Sequence, residues 1–252
     1  MIGSSSHGTK VFIAGAPRSG TSILVFALKE VFGLPGFGES HVMPVFQRMV
    51  HQLRAYTNGF KSISDPVVLK KLDKSDLERY LFQYIRHFYS ENFPQGSWID
   101  KTPSDEAVFG LPLIESVFPD ARLIATKRNG IEVVTSHVKK FNSSFNEACL
   151  SWVNAMKGLV HARQGCRHLL EVDQYEFLNA PEEVSRRIAI HLNAADRAEQ
   201  LANYFANHRV EQSSVLGTKD RVRLADTNWS NDEKELFKQH CGKTMEAFGY
   251  EV

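Results

Sequence analysis

A glycine-rich segment near the start of the chain has the composition of an anion-binding loop. It reads Gly-Ala-Pro-Arg-Ser-Gly-Thr-Ser from Gly15 to Ser22, and it follows a short apolar run, Lys10–Ala14. Apolar residues recur at helical spacing after Gly20, so the loop joins a predicted strand to a predicted helix. Backbone N–H groups in such a turn, together with the positive end of the helix, attract phosphate or sulfate. The segment predicts an anion site, with an ordinary strand–helix turn as the alternative.

The same loop lacks the lysine of nucleoside triphosphatases. Their Walker pattern places a lysine directly after the second glycine, where it reaches the terminal phosphates. Here Thr21 follows Gly20, and the cation is Arg18, two residues before that glycine. The loop therefore favours an anion other than a triphosphate bound with Mg²⁺.

Two further cations follow another predicted strand. The run Arg122–Thr126 ends in Lys127 and Arg128, where a triphosphatase usually offers an aspartate to Mg²⁺. Cations at this position would attract a second anion instead. One strand-end carboxylate, Asp100, stands beside Lys101 and keeps a kinase as the alternative function.

Strands alternate with helices along the chain, which predicts an α/β fold. Strands are expected at 10–14, 97–99, 122–126 and 168–172, and helices at 20–32, 44–56, 75–88, 130–139, 146–163, 182–191, 197–208 and 232–248. Ser75 is the expected N-cap of the third helix. We expect a central, mostly parallel sheet flanked by helices, with ligands at the carboxyl edge of the strands. A flexible tail at 1–9 precedes one domain at 10–252, in which 33–95 is a helical insertion.

Composition narrows the function classes. The 252 residues include 30 Lys and Arg against 29 Asp and Glu, a net charge of +1 that argues against a nucleic-acid or membrane-surface protein. The 3 cysteines form no CxxC pair, and the histidines have no metal-ligand spacing. No apolar run is long enough to cross a membrane, and the N-terminus does not resemble a signal peptide. We expect a cytoplasmic protein.

Two motifs resemble those of sulfotransferases that use 3′-phosphoadenylyl sulfate (PAPS). The first motif is Pro-Arg-Ser-Gly-Thr-Ser at 17–22. The second is Phe-Pro-Asp-Ala at 118–121, followed later in the chain by Arg128 and Ser136. The resemblance implies a P-loop-like fold in which the first loop holds the 5′-phosphosulfate. It also implies that Arg128 and Ser136 hold the 3′-phosphate, without a metal. A further match, Tyr-Glu-x-Leu at 175–178, adds Tyr175 to the candidate donor-binding residues.

The catalytic base distinguishes branches of that family. The branch acting on hormones and phenols has a Lys-Thr-His motif, whereas this chain has Lys101, Thr102 and Pro103. The stretch around Glu39 resembles the Gly-Glu-Glu-Thr segment of the branch that sulfates protein tyrosines, where a glutamate is the base. This resemblance makes Glu39 the first candidate, provided that a partly desolvated site raises its pKa. His41 is the second candidate.

The resemblance implies roles for the remaining candidates. Arg18 and Lys101 would stabilise the bridging and sulfuryl oxygens, since sulfuryl transfer depends mostly on positioning and electrostatics. The 5′-phosphate would be held by the hydroxyls of Thr21 and Ser22 and by the backbone N–H groups of Ser19, Gly20, Thr21 and Ser22. The loop between the last two predicted helices adds Ser213 and Lys219 to the candidate donor-binding residues. The acceptor is expected to be a small-molecule or carbohydrate-like hydroxyl compound, and the enzyme a monomer or homodimer. Phe141 is interpreted as core rather than pocket lining.

Overall fold

A computed structural model describes residues 8–59, 73–208 and 221–252. Four strands are present there: β1 (Lys10–Gly15), β2 (Trp98–Thr102), β3 (Arg122–Lys127) and β4 (Leu169–Asp173). They form one sheet in the order β2-β1-β3-β4, and every neighbouring pair is parallel. Helices connect the strands, as parallel pairing requires. The predicted α/β fold with a parallel sheet is confirmed.

The helices agree with the sequence pattern except for two that it did not predict, the fourth and the short seventh. They are α1 (Thr21–Phe32), α2 (Val42–Gly59), α3 (Lys74–Asn92), α4 (Asp105–Val117), α5 (Gly130–Phe141), α6 (Phe145–Gly165), α7 (Glu176–Asn179), α8 (Pro181–His191), α9 (Ala198–Asn207) and α10 (Asn231–Ala247). Helices α2 and α3 lie within the segment at 33–95 that was expected to be a helical insertion. None of the helices in the described part of the chain has the length and apolar character needed to cross a bilayer.

Both faces of the sheet are covered, which explains why the central strands β1 and β3 are apolar runs rather than alternating patterns. Phe12 and Leu123 point into a core shared with Trp152 of α6. Val11 and Ile13 point to the other face and pack with residues of α1 and α8. The Trp152 side chain is fully buried.

Helix α4 was not predicted from the sequence. Gly110 and Pro112 interrupt its pattern, because neither residue favours a helix interior. The helix forms nevertheless, with Ser104 as N-cap accepting a hydrogen bond from Ala107. It packs closely on α6, where a Cβ at Gly158 would lie 3.1 Å from the Phe109 ring. Tertiary packing therefore outweighs local propensity here.

Two predicted boundaries are corrected, since the strand expected at 97–99 extends over Trp98–Thr102 and α3 has an earlier cap than expected. The N-cap of α3 is Asp73, whose side chain accepts a hydrogen bond from the backbone N–H of Ser75, so Ser75 is not the cap. Most of the expected N-terminal tail, residues 1–7, lies outside the described residues. Thr9 is hydrogen bonded at both backbone groups, to Ser97 and to Trp98. The packed chain thus begins before Lys10.

The strand register brings the loops of the candidate site to one edge. Ala14 pairs with Thr102, and Gly15 pairs with Thr126. The chain leaves β1, β2 and β3 at the same level, so the segments that follow these strands face a common space. The glycine-rich loop, Pro103 and Arg128 all belong to those segments.

Candidate functional site

The glycine-rich loop turns sharply into α1. Arg18 has φ 72° and Gly20 has φ 92°, both in the left-handed region that favours glycine. Gly20 caps α1 without a side-chain hydrogen bond, and the first turn of the helix has no acidic residue. The first N–H groups of α1 and the positive end of its dipole are therefore available to an anion.

Ser19 has a different role from the one predicted. Its side chain is fully buried, and its hydroxyl bonds the Ala16 carbonyl at 2.6 Å and the Thr126 hydroxyl at 2.7 Å. Its backbone N–H donates to the same Ala16 carbonyl at 3.1 Å. Neither group is free for a phosphate. Ser19 instead ties the loop to β3, and the anion-binding amides begin at Gly20.

A cavity of about 350 Å³ opens beside this loop. Its walls come from the glycine-rich loop, the loop before α2, the residue after β2, the residue after β3 and the end of α5. The lining residues are Pro17, Arg18, Gly20, Thr21, Ser22, Glu39, His41, Pro103, Arg128, Lys140, Phe141 and Gln174. Most of the predicted site residues therefore lie together, although the sequence separates Arg18 from Arg128 by 110 positions.

Glu39, which lines the cavity, forms an ion pair with the buried Lys101. The Lys101 Nζ atom donates to Glu39 Oε1 at 2.6 Å and to the Ser22 hydroxyl at 3.3 Å. Only 2% of the lysine side chain is exposed, against 50% of the glutamate side chain. His41 Nε2 lies 3.3 Å from the other carboxylate oxygen, Glu39 Oε2. The two candidate bases are thus in contact with each other.

The protonation of Glu39 differs from the expectation. Partial burial raises its pKa. The hydrogen bond and charge of Lys101, with a smaller contribution from His41, lower the pKa by more than burial raises it. The net result is a pKa below the usual glutamate range. The expected raised pKa is therefore wrong for this arrangement, because the favourable charges outweigh desolvation.

The cations on the other side of the cavity form a connected network. The Nε atom of Arg18 donates to the Ser136 hydroxyl at 2.8 Å. Arg128 donates to the Arg18 carbonyl at 3.1 Å and pairs with Glu132 at 2.6 Å. Burial, and then the charge of Arg128, lower the pKa of Arg18, while Glu39 opposes the shift. Two neighbouring guanidinium groups in a half-buried position favour an anion between them.

Among the predicted donor-binding residues that the structure describes, Tyr175 does not line the cavity. Tyr175 stacks on the guanidinium of Arg221, which lies 4.8 Å from its ring centre, and the neighbouring Gln174 lines the cavity instead. Ser213 and Lys219 lie outside the described residues. Lys127, the other cation after β3, is directed to Glu171 at 4.0 Å and away from the cavity.

Sequence reasoning missed part of the cavity wall. Phe141 was expected in the core, but it is 53% exposed and lines the cavity with Lys140. A usable signal was present, since Lys140 stands one helical turn beyond Ser136 and therefore on the same face of α5. Pro103 and Gln174 carried no such signal in the sequence. Each lines the cavity because it directly follows a strand, β2 or β4, and not because of its residue type.

Asp100 is not placed to hold Mg²⁺. It is 2% exposed, and its two carboxylate oxygens accept hydrogen bonds from the Ser40 and Tyr89 hydroxyls. A metal ligand at a kinase site needs its oxygens directed towards the phosphates. The observation that kept the kinase alternative open is thereby removed.

Comparisons with known proteins bear on the family and the fold of the chain. The model of a family described as the sulfotransferase family matches residues 10–197, most of the chain. An uncharacterised protein of Aquifex aeolicus (strain VF5) is 21% identical over 239 residues, which make up 90% of this chain and 31% of that protein. The chain thus spans about a third of the length of that curated relative.

Solved structures show the same fold. The sulfotransferase domain of the olefin synthase from Synechococcus PCC 7002 aligns with a TM-score of 0.59 at 18% identity, covering 98% of each chain. The sulfotransferase domain of the curacin biosynthetic pathway aligns with a TM-score of 0.56 at 15% identity, covering 97% of this chain and 99% of that one. A sulfotransferase from Mycobacterium avium gives 0.55 at 16% identity, covering 98% and 79%.

Proposed function

Because this chain belongs to the sulfotransferase family, we propose that it transfers a sulfuryl group from PAPS to a hydroxyl group of a small-molecule or carbohydrate-like acceptor. One observation carries this proposal. The open N-terminus of α1, two arginines and Glu39 line a single cavity, and Lys101 links Glu39 to Ser22, so anion binding and proton transfer would share one space.

The donor side of the cavity has groups for both ends of PAPS. The backbone amides of Gly20, Thr21 and Ser22, with the two hydroxyls, would hold the 5′-phosphosulfate. Arg128 and Ser136 would hold the 3′-phosphate. Both are engaged internally, with Glu132 and Arg18 respectively, so binding must compete with these hydrogen bonds. We name this side, the glycine-rich loop with the start of α1 and Arg128, the donor wall.

Positive charge at the reacting centre would come from the protein. PAPS supplies the sulfuryl group and leaves as adenosine 3′,5′-bisphosphate. Arg18 and Lys101 would neutralise the negative charge that develops on the leaving phosphate, a form of electrostatic stabilisation. Lys101 is already directed towards Ser22 of the donor wall, which places its ammonium between that wall and Glu39.

Glu39 would accept the proton of the acceptor hydroxyl. Its lowered pKa makes Glu39 a weak base as long as Lys101 is paired with Glu39 and no anion is bound. When Lys101 shares its charge with a bound anion, the pKa of Glu39 would rise and the carboxylate would become a better base. His41, at 3.3 Å, would hold the other oxygen of the carboxylate or serve as the base itself.

The acceptor would enter through the exposed side of the cavity. Glu39, His41, Pro103, Lys140 and Phe141 form this side, which we name the acceptor mouth. A cavity of about 350 Å³ is of the size that binds small molecules, and the exposed Phe141 ring offers an apolar surface to one.

The donor proposal is tested by thermal unfolding with three ligands side by side: adenosine 3′,5′-bisphosphate, ADP, and ATP with Mg²⁺. A ligand present at 100 times its dissociation constant stabilises the folded state by about 2.7 kcal/mol. We expect a raised melting temperature with the bisphosphate alone and no requirement for metal. Stabilisation by ATP with Mg²⁺ but not by the bisphosphate would contradict the proposal.

A further inference from the structure

Asp100 is a buried carboxylate that the proposed chemistry does not use. It lies in β2 directly before Lys101 and is 2% exposed. Among the described residues it has no salt bridge, and it is held by hydroxyl donors, from Ser40 at 2.5 Å and from Tyr89 at 2.5 Å. Burial raises its pKa, while hydrogen bonds from Ser40, Tyr89 and Thr102 and the charge of His41 oppose that shift. A carboxylate removed from water without a cation is costly, which calls for a reason.

Ser40 connects this carboxylate to the candidate bases. It stands between Glu39 and His41 in the loop that precedes α2. Its hydroxyl donates to Asp100, and its backbone N–H donates to the Lys101 carbonyl at 3.1 Å. Both backbone and side chain of Ser40 are therefore attached to β2.

The attachment is made where the backbone is strained. His41 has φ 52°, in the left-handed region that non-glycine residues rarely adopt. The Ser40 hydroxyl also accepts a hydrogen bond from the backbone N–H of Val42, the first residue of α2, at 3.3 Å. A strained turn persists only when its surroundings hold it. Here the Ser40 side chain links β2 to the start of α2 across that turn.

Strand β2 also holds the Glu39 side chain, through Lys101, the residue that follows Asp100. Side chains alternate along a strand, so Asp100 and Lys101 point to opposite sides. Lys101 reaches the Glu39 carboxylate, while Asp100 reaches Ser40. The side chain and the backbone of the base loop are thus secured by consecutive residues of β2.

We propose that Asp100 is a positioning residue: through its hydrogen bond with Ser40 it holds the loop that carries Glu39 and His41, and so keeps the Glu39 carboxylate on Lys101. Its relevance to catalysis rests on the proposed function, in which Glu39 takes the acceptor proton. The placement of Glu39 by Asp100 can be measured without any turnover of substrate.

The test compares Ser40→Ala with Tyr89→Phe. Both remove one hydroxyl donor to the same buried carboxylate, but only Ser40→Ala releases the loop. The measurement is an NMR titration of the Glu39 carboxyl carbon, with its signal assigned by its loss in Glu39→Gln. Groups that act on the charge of Glu39 are Lys101, His41 and Arg18, and none of them is changed.

We expect the titration midpoint of Glu39 in the wild-type protein to lie below the ordinary glutamate value of about 4.3. Ser40→Ala should raise it towards that value, because the freed carboxylate spends less time on Lys101. Ser40→Thr should restore the wild-type midpoint, and Tyr89→Phe should lower the melting temperature without moving the midpoint. Ser116→Ala, which removes a hydroxyl bonded within α4, is the neutral control.

An unchanged Glu39 midpoint in Ser40→Ala, with a loss of stability like that of Tyr89→Phe, would show that Asp100 serves only the core and would overturn the proposal. Failure of the proposed function has a different signature. If Glu39→Gln transfers sulfate as fast as the wild-type enzyme, Glu39 is not the base, whatever the titration shows.

Discussion

The donor wall and the acceptor mouth line one cavity but are built differently. On the donor wall Thr21 is 3% exposed, and the Arg128 side chain is 13% exposed. At the acceptor mouth Phe141 is 53% exposed, and half of the Glu39 side chain is accessible. The first region consists of backbone amides and interlocked side chains, and the second of side chains that project from loop and helix ends.

Because of this difference, the donor wall is more preorganised for binding than the acceptor mouth. Amides at a helix start are held by the helix itself, and Ser19 ties the loop to β3 beneath them. Little conformational entropy remains to be lost when an anion binds. The acceptor mouth lacks such support, so its affinity depends on individual side chains. Substitutions should therefore damage donor binding strongly and acceptor binding mildly, apart from the base itself.

The largest effect is expected from Glu39→Gln. Loss of a general base lowers turnover by about 10²- to 10⁴-fold. Affinity for adenosine 3′,5′-bisphosphate should not fall, because the amide keeps the size of the side chain and no longer competes with the anion for the charge of Lys101. Steady-state turnover and calorimetric titration measure the two quantities. A larger turnover loss in His41→Ala than in Glu39→Gln would transfer the role of base to His41.

Arg128→Ala tests the donor wall directly. Loss of hydrogen bonds to a charged 3′-phosphate costs about 1.5–3 kcal/mol, or about 10- to 150-fold in affinity for the bisphosphate. Affinity for 5′-AMP, which lacks that phosphate, should change little. Lys127→Ala is the matched control, since Lys127 is directed to Glu171. Equal losses for both nucleotides would place the 3′-phosphate elsewhere.

Gly20→Ala tests the backbone contribution to the same wall. With φ 92° at this position, and a Cβ that would lie 2.8 Å from the Gln174 side chain, alanine should reduce stability by about 1–2 kcal/mol. Bisphosphate affinity should fall with it as the loop shifts. Gly242→Ala, where a Cβ meets open space on α10, should not destabilise the protein. Chemical denaturation of both variants checks the difference.

The smallest effect is expected at the acceptor mouth. Lys140→Ala removes an exposed cation and should change the KM for the acceptor by no more than about fivefold, leaving bisphosphate affinity as it was. Lys139→Ala, the exposed neighbour that does not line the cavity, is the control. A clear loss of bisphosphate affinity in Lys140→Ala would move this residue to the donor wall and break the comparison.

The sequence predicted the fold where local pattern and tertiary environment agree. The strands are short apolar runs with helices between them, and all four appear in the sheet. Helix α4 escaped prediction because Gly110 and Pro112 oppose a helix, and tertiary contacts, with α6 above all, outweigh them. The same limit applies to Ser19, which the loop motif offered as a phosphate ligand but which packing turned towards Thr126.

By itself, the sequence determined the chemistry at the two strand ends: the loop from Pro17 to Ser22 and the cation Arg128 are local features, readable from residue type and spacing. Only the tertiary structure decided how these groups are used. It placed Lys101 against Glu39 and lowered the pKa of that carboxyl, and it put Lys140 and Phe141 on the cavity wall. Proton affinity and cavity shape arise from residues far apart in the chain, which come together only when the parallel strands align their ends.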